Sequence, residues 1–241
     1  HDQPRAVSRF GDPSRYWYES ATALATDYFL QRGTPFIYQG QEIGMLGGDF
    51  KTTADLRDVE SVSYIERLGV HEVPEGLATM SRDNGRTPMQ WDSSPAAGFS
   101  EEVPWIDVPA SAEHINVAAQ ADDPHSILAY YRALIHARHV IPALSDGTFT
   151  RIDTSVPPLF VYRRSTPGSD VLVMVNLSGQ RHAPLFSPAD EAVVSLPWHL
   201  YLGNTEASQT RTDEAGNHLD SEPTVTTPME PWEARVYLLA G

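Results

Sequence analysis

Two short stretches of the 241-residue chain gather the side chains that could do chemistry. The first is His1-Asp2-Gln3-Pro4-Arg5, an imidazole, a carboxylate and a guanidinium in close succession. A carboxylate can grip hydroxyls or stabilise a developing positive charge, and an adjacent imidazole can donate a hydrogen bond to the same ligand. The second stretch is Ser81-Arg82-Asp83-Asn84-Gly85-Arg86-Thr87-Pro88-Met89-Gln90-Trp91-Asp92. Its two arginines, two aspartates, amides and tryptophan suit a polar pocket with an aromatic wall, the surface that sugar binding needs. They suit equally a salt-bridged loop under a helix, and composition alone favours the loop.

Other candidates lead nowhere. His136 and His139 stand at i, i+3 without a third ligand, and a helix C-terminus accounts for them, so no metal is expected. His71-Glu72 lacks the second histidine of a zinc-protease helix. Asn176-Leu177-Ser178 is formally a glycosylation acceptor but reads as a strand end. Gly40, Gly44, Gly47 and Gly48 are not followed by the Lys-Ser/Thr of a phosphate loop, and the Gly-x-Ser-x-Gly of a nucleophile elbow does not occur.

The elements that must position these residues can be read from periodicity. Asp12 as N-cap, Pro13 at the first position and Gly33 beyond the end predict a helix whose apolar stripe is Trp17, Ala21, Leu24, Ala25 and Tyr28. Thr34–Tyr38 predicts a strand directly behind it, an α/β unit feeding a parallel sheet. Thr53 to about Leu68 predicts a helix with Leu56, Val59 and Ile65 on one side, and a short one follows at Glu75–Met80. Asp83-Asn84-Gly85 predicts a turn, with punctuated coil to about Ala110. Asp123 and Pro124 open a second strong helix with Ile127, Leu128, Tyr131, Leu134 and Ile135 as its stripe. After Pro142 the rhythm becomes that of short strands: Phe149–Ile152, Leu159–Arg163, Val171–Leu177, Val193–Leu196, Leu200–Leu202, Thr224–Thr227 and Ala234–Leu239. That pattern predicts an antiparallel module, a small sandwich, with a boundary near residue 143.

Composition narrows the function classes. Lys and Arg total 17 against 32 Asp and Glu, a formal net charge of −15 and a pI near 4.9. Phosphate backbones and anionic membrane surfaces need a cationic face, so neither nucleic acid nor membrane is an expected partner. No apolar run reaches the ~20 residues of a spanning helix, and no signal segment opens the chain. Cysteine is absent, which excludes disulfide frameworks, thiol catalysis and thiolate metal sites and fits a reducing, cytoplasmic compartment. At 41% hydrophobic residues the chain can bury a core. It begins at His1, without Met and inside a motif, so a fragment of a longer polypeptide is expected.

His1-Asp2-Gln3-Pro4-Arg5-Ala6-Val7-Ser8-Arg9-Phe10-Gly11 resembles the last signature catalytic region of glycoside hydrolase family 13, in its α-glucosidase and oligo-1,6-glucosidase branch. Gly33-Thr34-Pro35-Phe36-Ile37-Tyr38-Gln39-Gly40-Gln41-Glu42-Ile43-Gly44-Met45 is similar to the family's eighth barrel strand and the turn after it. Ser81–Asp92 resembles the branch's Arg-Asp-Asn-x-Arg-Thr-Pro-Met-Gln-Trp-Asp signature, and Pro231-Trp232-Glu233-Ala234-Arg235-Val236-Tyr237 its closing strand. The motifs occur in the family's order, and the resemblance spans the chain. Gln41 stands where members often carry Glu, and Gly85 where Ala or Ser is common. Neither departure is expected to touch the site.

The resemblance implies an α/β fold: the C-terminal part of a (β/α)8 TIM barrel over residues 1–142, with the long loop after strand eight, then an antiparallel β-sandwich domain over 143–241. It implies a retaining α-glucosidase acting on terminal α-glucosidic bonds of short oligosaccharides. Asp2 would be the third catalytic carboxylate, with His1 and Arg82 binding the innermost sugar and Glu60, in Arg57-Asp58-Val59-Glu60, touching the outgoing one. Arg86 and Trp91 would hold the loop in shape. The nucleophile and the acid/base would lie in the N-terminal part of the same polypeptide, as would the calcium loop of many relatives, so neither metal nor cofactor is expected in this chain. Sucrose isomerases and transglucosidases share nearly all these motifs and form the alternative. A binding or partner subunit that has lost catalysis is the alternative of another class.

Overall fold

The computed structural model describes residues 1–208 and 222–239. Its helices run in the order α1 (Ala6–Phe10), α2 (Trp17–Phe29), α3 (Val59–Leu68), α4 (Glu75–Met80), α5 (Asp83–Arg86), α6 (Val117–Gln120), α7 (Ile127–Val140) and α8 (Pro142–Asp146). Strands β1 (Thr148–Ile152), β2 (Leu159–Thr166) and β3 (Ser169–Asn176) follow, then α9 (Glu191–Val194), β4 (Trp198–Gly203) and β5 (Ala234–Leu239). The chain divides into two compact units, His1–Trp17 with Ile37–Ala129, and Tyr18–Phe36 with Tyr130–Gly241.

The first unit is built around two small apolar clusters. Ile43, Met45, Met89 and Ile115 form one, joined by Trp17, Leu46, Val117 and Leu128. Phe50, Leu56, Ile65 and Ile106 form the other, joined by Val62, Val73 and Leu77. Gly44 takes a left-handed φ of +68° where a Cβ would lie 2.5 Å from Ile127 Cδ1, so the chain reverses there only because no side chain is present.

Several expectations over residues 1–86 need correction. Thr34–Tyr38 forms no strand, since the described residues of the chain offer it no neighbouring strand to pair with. The helix expected from Asp12 starts only at Trp17, because the Asp12 carboxylate accepts the Ser14 and Arg15 N–H groups (3.1 and 2.9 Å) and closes a separate turn. The helix expected over 53–68 is broken: a 3-10 turn at Thr53–Asp55 precedes α3. The break has a cause, since Asp83 Oδ2 accepts the N–H groups of Arg57 and Asp58 at 2.6 and 2.8 Å and draws both amides out of any helix. Asp83–Gly85, expected as a turn, lies in the single helical turn α5, and α1 stands where no element was expected.

The second unit carries one antiparallel sheet in the order β1-β2-β3-β5-β4. Ile152, Leu159, Val161, Leu172, Met174 and Tyr237 pack in its apolar cluster with Val194, Val225 and Met229. Alternate residues Tyr162 and Arg164 of β2 meet the end of α2, where Tyr162 Oη donates to Asp27 O at 3.0 Å and Arg164 Nη1 to Leu30 O at 2.7 Å. Two expected strands are not strands. Val193–Leu196 falls in and after α9, and Thr224–Thr227 is a turn closed by the Thr224 N–H on Thr227 Oγ1 at 2.9 Å. Asn176 is fully buried, with its amide donating to Gln180 O and Glu230 O (2.6 and 2.8 Å), which leaves it closed to modification. No helix among the described residues is long and apolar enough to cross a membrane.

Candidate active site

The four residues singled out for substrate chemistry, His1, Asp2, Glu60 and Arg82, all belong to the first unit. The foundation beneath them is Asp83, whose side chain is fully buried. By fixing the Arg57 and Asp58 amides it sets the start of α3. Asp58 then caps that helix, accepting the Glu60 N–H at 3.3 Å and the Ser61 hydroxyl at 2.7 Å. The cap leaves Glu60 on the first turn, with its side chain 80% exposed.

Arg82 reaches across to this cap. Its Nε donates to Asp58 Oδ1 at 2.9 Å, and its Nη2 donates to the same oxygen. Nη2 also lies 3.9 Å from Glu60 Oε2. Burial alone would raise the Asp58 carboxyl, but the hydrogen bonds from Arg82, Ser61 and the Glu60 amide, with the Arg82 charge, outweigh it and hold the group at about 2. The hydrogen bond to Asp58 raises the Arg82 guanidinium above its ordinary value against a desolvation penalty, and the charges of Asp58, Glu60 and Asp2 add to the rise. Arg82 therefore stays cationic at every accessible pH, with Nη2 also near Glu60. An open groove of ≈ 580 Å³ runs alongside, lined by Glu60, Tyr64, Arg67, Leu77, Met80 and Arg82 among others; His1 and Asp2 do not line it.

The opening segment is held from beneath by Arg5, which the sequence reading left without a role. Buried to 3% exposure, Arg5 donates to Asn84 O (3.2 Å), Thr87 O (3.3 Å), Thr87 Oγ1 (3.2 Å) and Gln39 O. Burial pulls its guanidinium down to about 10, with Tyr38 and Glu42 opposing, so it remains charged. His1 and Asp2 are exposed above it; His1 Nε2 stands 3.5 Å from Asp2 Oδ2, and Arg86 Nη2 donates to Asp2 Oδ1 at 2.6 Å. Arg86, expected only to shape the loop, thus touches the proposed carboxylate.

Gly85 is a second correction. Its departure from the family pattern is not expected to touch the site, yet a Cβ on it would lie 2.7 Å from Gln3 O and 3.4 Å from His1 O. The signature loop and the opening segment are in direct backbone contact there. Trp91 is half exposed, and its backbone N–H donates to Ala97 O at 2.8 Å, which closes the loop after the signature. Among the described residues no group of three or more His, Asp or Glu side chains is arranged to hold a metal ion.

The arrangement is a row of carboxylates and guanidiniums with two exposed acidic ends, Asp2 and Glu60, suited to hydroxyl-rich neutral ligands. The family model "Alpha amylase, catalytic domain" matches residues 1–147. The oligo-1,6-glucosidase of Parageobacillus thermoglucosidasius is 40% identical over 98% of this chain, which spans 41% of that protein. The trehalose-6-phosphate hydrolase of Bacillus subtilis is 35% identical over 99% of the chain, again 41% of its own length. Among solved structures, a mutant trehalose-6-phosphate hydrolase of Bacillus licheniformis in complex with PNG superposes with a TM-score of 0.85 at 32% identity, over all of this chain and 42% of that one. A mutant isomaltulose synthase of Erwinia rhapontici NX5, in complex with its natural substrate sucrose, superposes with a TM-score of 0.77 at 34% identity, over all of this chain and 42% of that one. The chain thus spans about two fifths of the length of the relatives it matches, and it belongs to the α-amylase family of glycoside hydrolases, family 13.

Proposed function

We propose that the polypeptide containing this chain is a retaining α-glucosidase that releases glucose from the ends of short oligosaccharides. The observation that carries the reading is the convergence of Asp2, His1 and Arg82 in one unit, joined through Arg86, Asp83 and Asp58. A binding subunit that had lost catalysis would have no reason to keep this set in place.

Retaining glycosidases use a carboxylate nucleophile and a carboxylic acid about 5–5.5 Å apart, passing through an oxocarbenium-like transition state. Both are assigned here to the N-terminal part of the same polypeptide, a placement supported by the 41% share of the relatives' length that this chain spans. The small oligosaccharide is then the partner of that joint site, and no metal or cofactor is assigned to this chain. Asp2 grips the hydroxyls of the innermost sugar and favours its distorted ring, an interaction that strengthens in the transition state. His1 donates a hydrogen bond to the same sugar. Arg82, held by Asp58, supplies donors at the closed end of the pocket, and Glu60 touches the outgoing sugar. The proposed architecture is the end of a (β/α)8 barrel over 1–142 and a β-sandwich domain over 143–241, supported by a family match that stops at residue 147. The absence of cysteine favours the cytoplasm as its compartment.

Isomaltulose synthase among the structural neighbours motivates a second reading, sucrose isomerisation or glucosyl transfer. The full-length protein incubated with isomaltose, maltose and sucrose decides between them. Free α-glucose as the initial product supports hydrolysis. An isomerised disaccharide moves the protein to the second reading, and no product from any of these sugars overturns both.

A further inference from the structure

The signature stretch carries two arginines four residues apart, and the structure gives them different carboxylates. Arg82 pairs with Asp58. Arg86 points the other way: Nη2 donates to Asp2 Oδ1 at 2.6 Å, and Nε donates to the backbone carbonyl of His1 at 3.2 Å. One planar guanidinium therefore grips both the side chain of Asp2 and the backbone before it, a two-point hold that fixes position and orientation together.

The guanidinium is itself held. Its Nη1 lies 3.8 Å from Asp83 Oδ1, a buried carboxylate oxygen with no hydrogen-bond partner of its own. The negative charge of Asp83 has Arg86 as its cationic neighbour, so the guanidinium is drawn inward until its side chain is only 23% exposed. The short helix α5 that carries Arg86 is anchored by Tyr38 Oη, which donates to Gly85 O at 2.6 Å, and by the close packing of Gly85 on Gln3 O. Arg86 occupies one oxygen of Asp2 and leaves Oδ2 on the side of His1 Nε2.

We propose that Arg86 is the positioning residue for Asp2: it holds the carboxylate by one oxygen so that the other is presented to the sugar. This rests on the α-glucosidase reading above. Arg86 touches no substrate in this scheme and acts only through Asp2, which makes a sharp demand on mutant kinetics. Two residues that act as one unit have non-additive effects, whereas independent ones add in free energy.

The experiment is a double-mutant cycle in the full-length protein with Arg86→Ala, Asp2→Asn and the pair, read as kcat and KM on isomaltose, with thermal midpoints for each variant. Arg86→Ala is expected to lower kcat by about 10- to 100-fold while KM changes by less than about 3-fold, the signature of an interaction that matters in the transition state. In the Asp2→Asn background the same change should cost less than about 3-fold. Guanidinium ion in the assay should recover part of the kcat of Arg86→Ala and none in the double variant. If Arg86→Ala does not fold, Arg86→Lys takes its place in the cycle, since it keeps the charge facing Asp83 but loses the two-point grip. Additive losses, or a loss confined to thermal midpoint with kcat unchanged, overturn the proposal. An active wild type with additive losses removes only the role of Arg86; a wild type that cleaves none of the test sugars overturns the functional reading and this inference with it.

Discussion

Asp2 has its charge half in solvent, next to His1 and Arg86, and contributes little to any apolar packing. Its replacement by Asn keeps the volume and one acceptor but removes the negative charge that, in the proposed α-glucosidase, faces a developing oxocarbenium ion. In the full-length enzyme this should cost on the order of 3–4 kcal/mol of transition-state stabilisation, roughly 10²–10³ in kcat, with an unchanged thermal midpoint. Near-normal kcat would take Asp2 out of the catalytic set, and a collapsed midpoint would mark it as structural. Arg82→Ala should behave differently, because a group that binds the ground state as well as the transition state raises KM and lowers kcat together. Steady-state kinetics on one substrate separate the two outcomes; a kcat loss with unchanged KM would contradict the assignment. Asp2, His1 and Arg82 can be singled out from the sequence because each stands inside a motif. Arg86 was legible as a residue and not as a contact: nothing in a linear sequence says which of two arginines meets a carboxylate more than eighty positions away.

Helix starts, more than helix lengths, decide where the site residues sit. Asp58 both caps α3 and pairs with Arg82, so its loss removes a cap and leaves a guanidinium without its partner. Its carboxyl titrates near 2 in the folded chain, below its unfolded value. The stability it contributes is therefore fully present above about pH 4 and lost as pH falls through 2. Asp58→Asn is expected to cost on the order of 2 kcal/mol at pH 7 and little at pH 2, measured by urea unfolding at both values. An equal loss at both would show that the cap geometry, not the charge, is what matters. Asp27 on α2 has the opposite sign. Burial raises its carboxyl to about 6, against a hydrogen bond from Gln31, so the folded state favours the protonated form below about pH 4 and that advantage disappears as pH rises through 6. Asp27→Asn should raise stability at pH 7 by on the order of 2 kcal/mol after discounting for partial exposure, about 4 °C or more in thermal midpoint. At pH 4 it should do little, and a gain of equal size there would refute the charge argument. The helices α2 and α7 were readable from periodicity, although α2 buries Ala23, Thr26 and Phe29 more fully than the Leu24 and Tyr28 of its expected stripe. The break before α3 was not, because it is imposed by hydrogen bonds from Asp83, about 25 residues further on.

At the scale of the whole molecule, sequence and structure divide the chain along different lines. The change of rhythm after Pro142 suggested that residues 143–241 stand alone, whereas the compact unit that holds the sheet also takes in Tyr18–Phe36 and the chain from Tyr130. Pattern reading finds where strands begin; it does not find which distant helix satisfies a strand's buried polar groups. Here those groups are specific. Arg164, fully buried, donates to Leu30 O; Tyr162 donates to Asp27 O; and the Asn204 amide donates to Glu19 O at 3.0 Å. Removing residues 1–142 leaves all three without these acceptors and bares the face of β2 that meets α2. The Asn204 amide keeps Trp232 O and Arg164 keeps Gly147 O, but each donor left buried without an acceptor costs about 1–3 kcal/mol, against a total stability of roughly 5–15 kcal/mol for a domain. Residues 143–241 expressed alone should therefore unfold at markedly lower urea concentration than the 241-residue chain, with a broadened transition and dye-accessible apolar surface. Arg164→Met with Tyr162→Phe, which removes two of these three groups, should recover part of the difference. If residues 143–241 unfold cooperatively at the same midpoint as the sheet does within the longer chain, the sheet module is self-sufficient and the contacts to α2 are incidental to its stability.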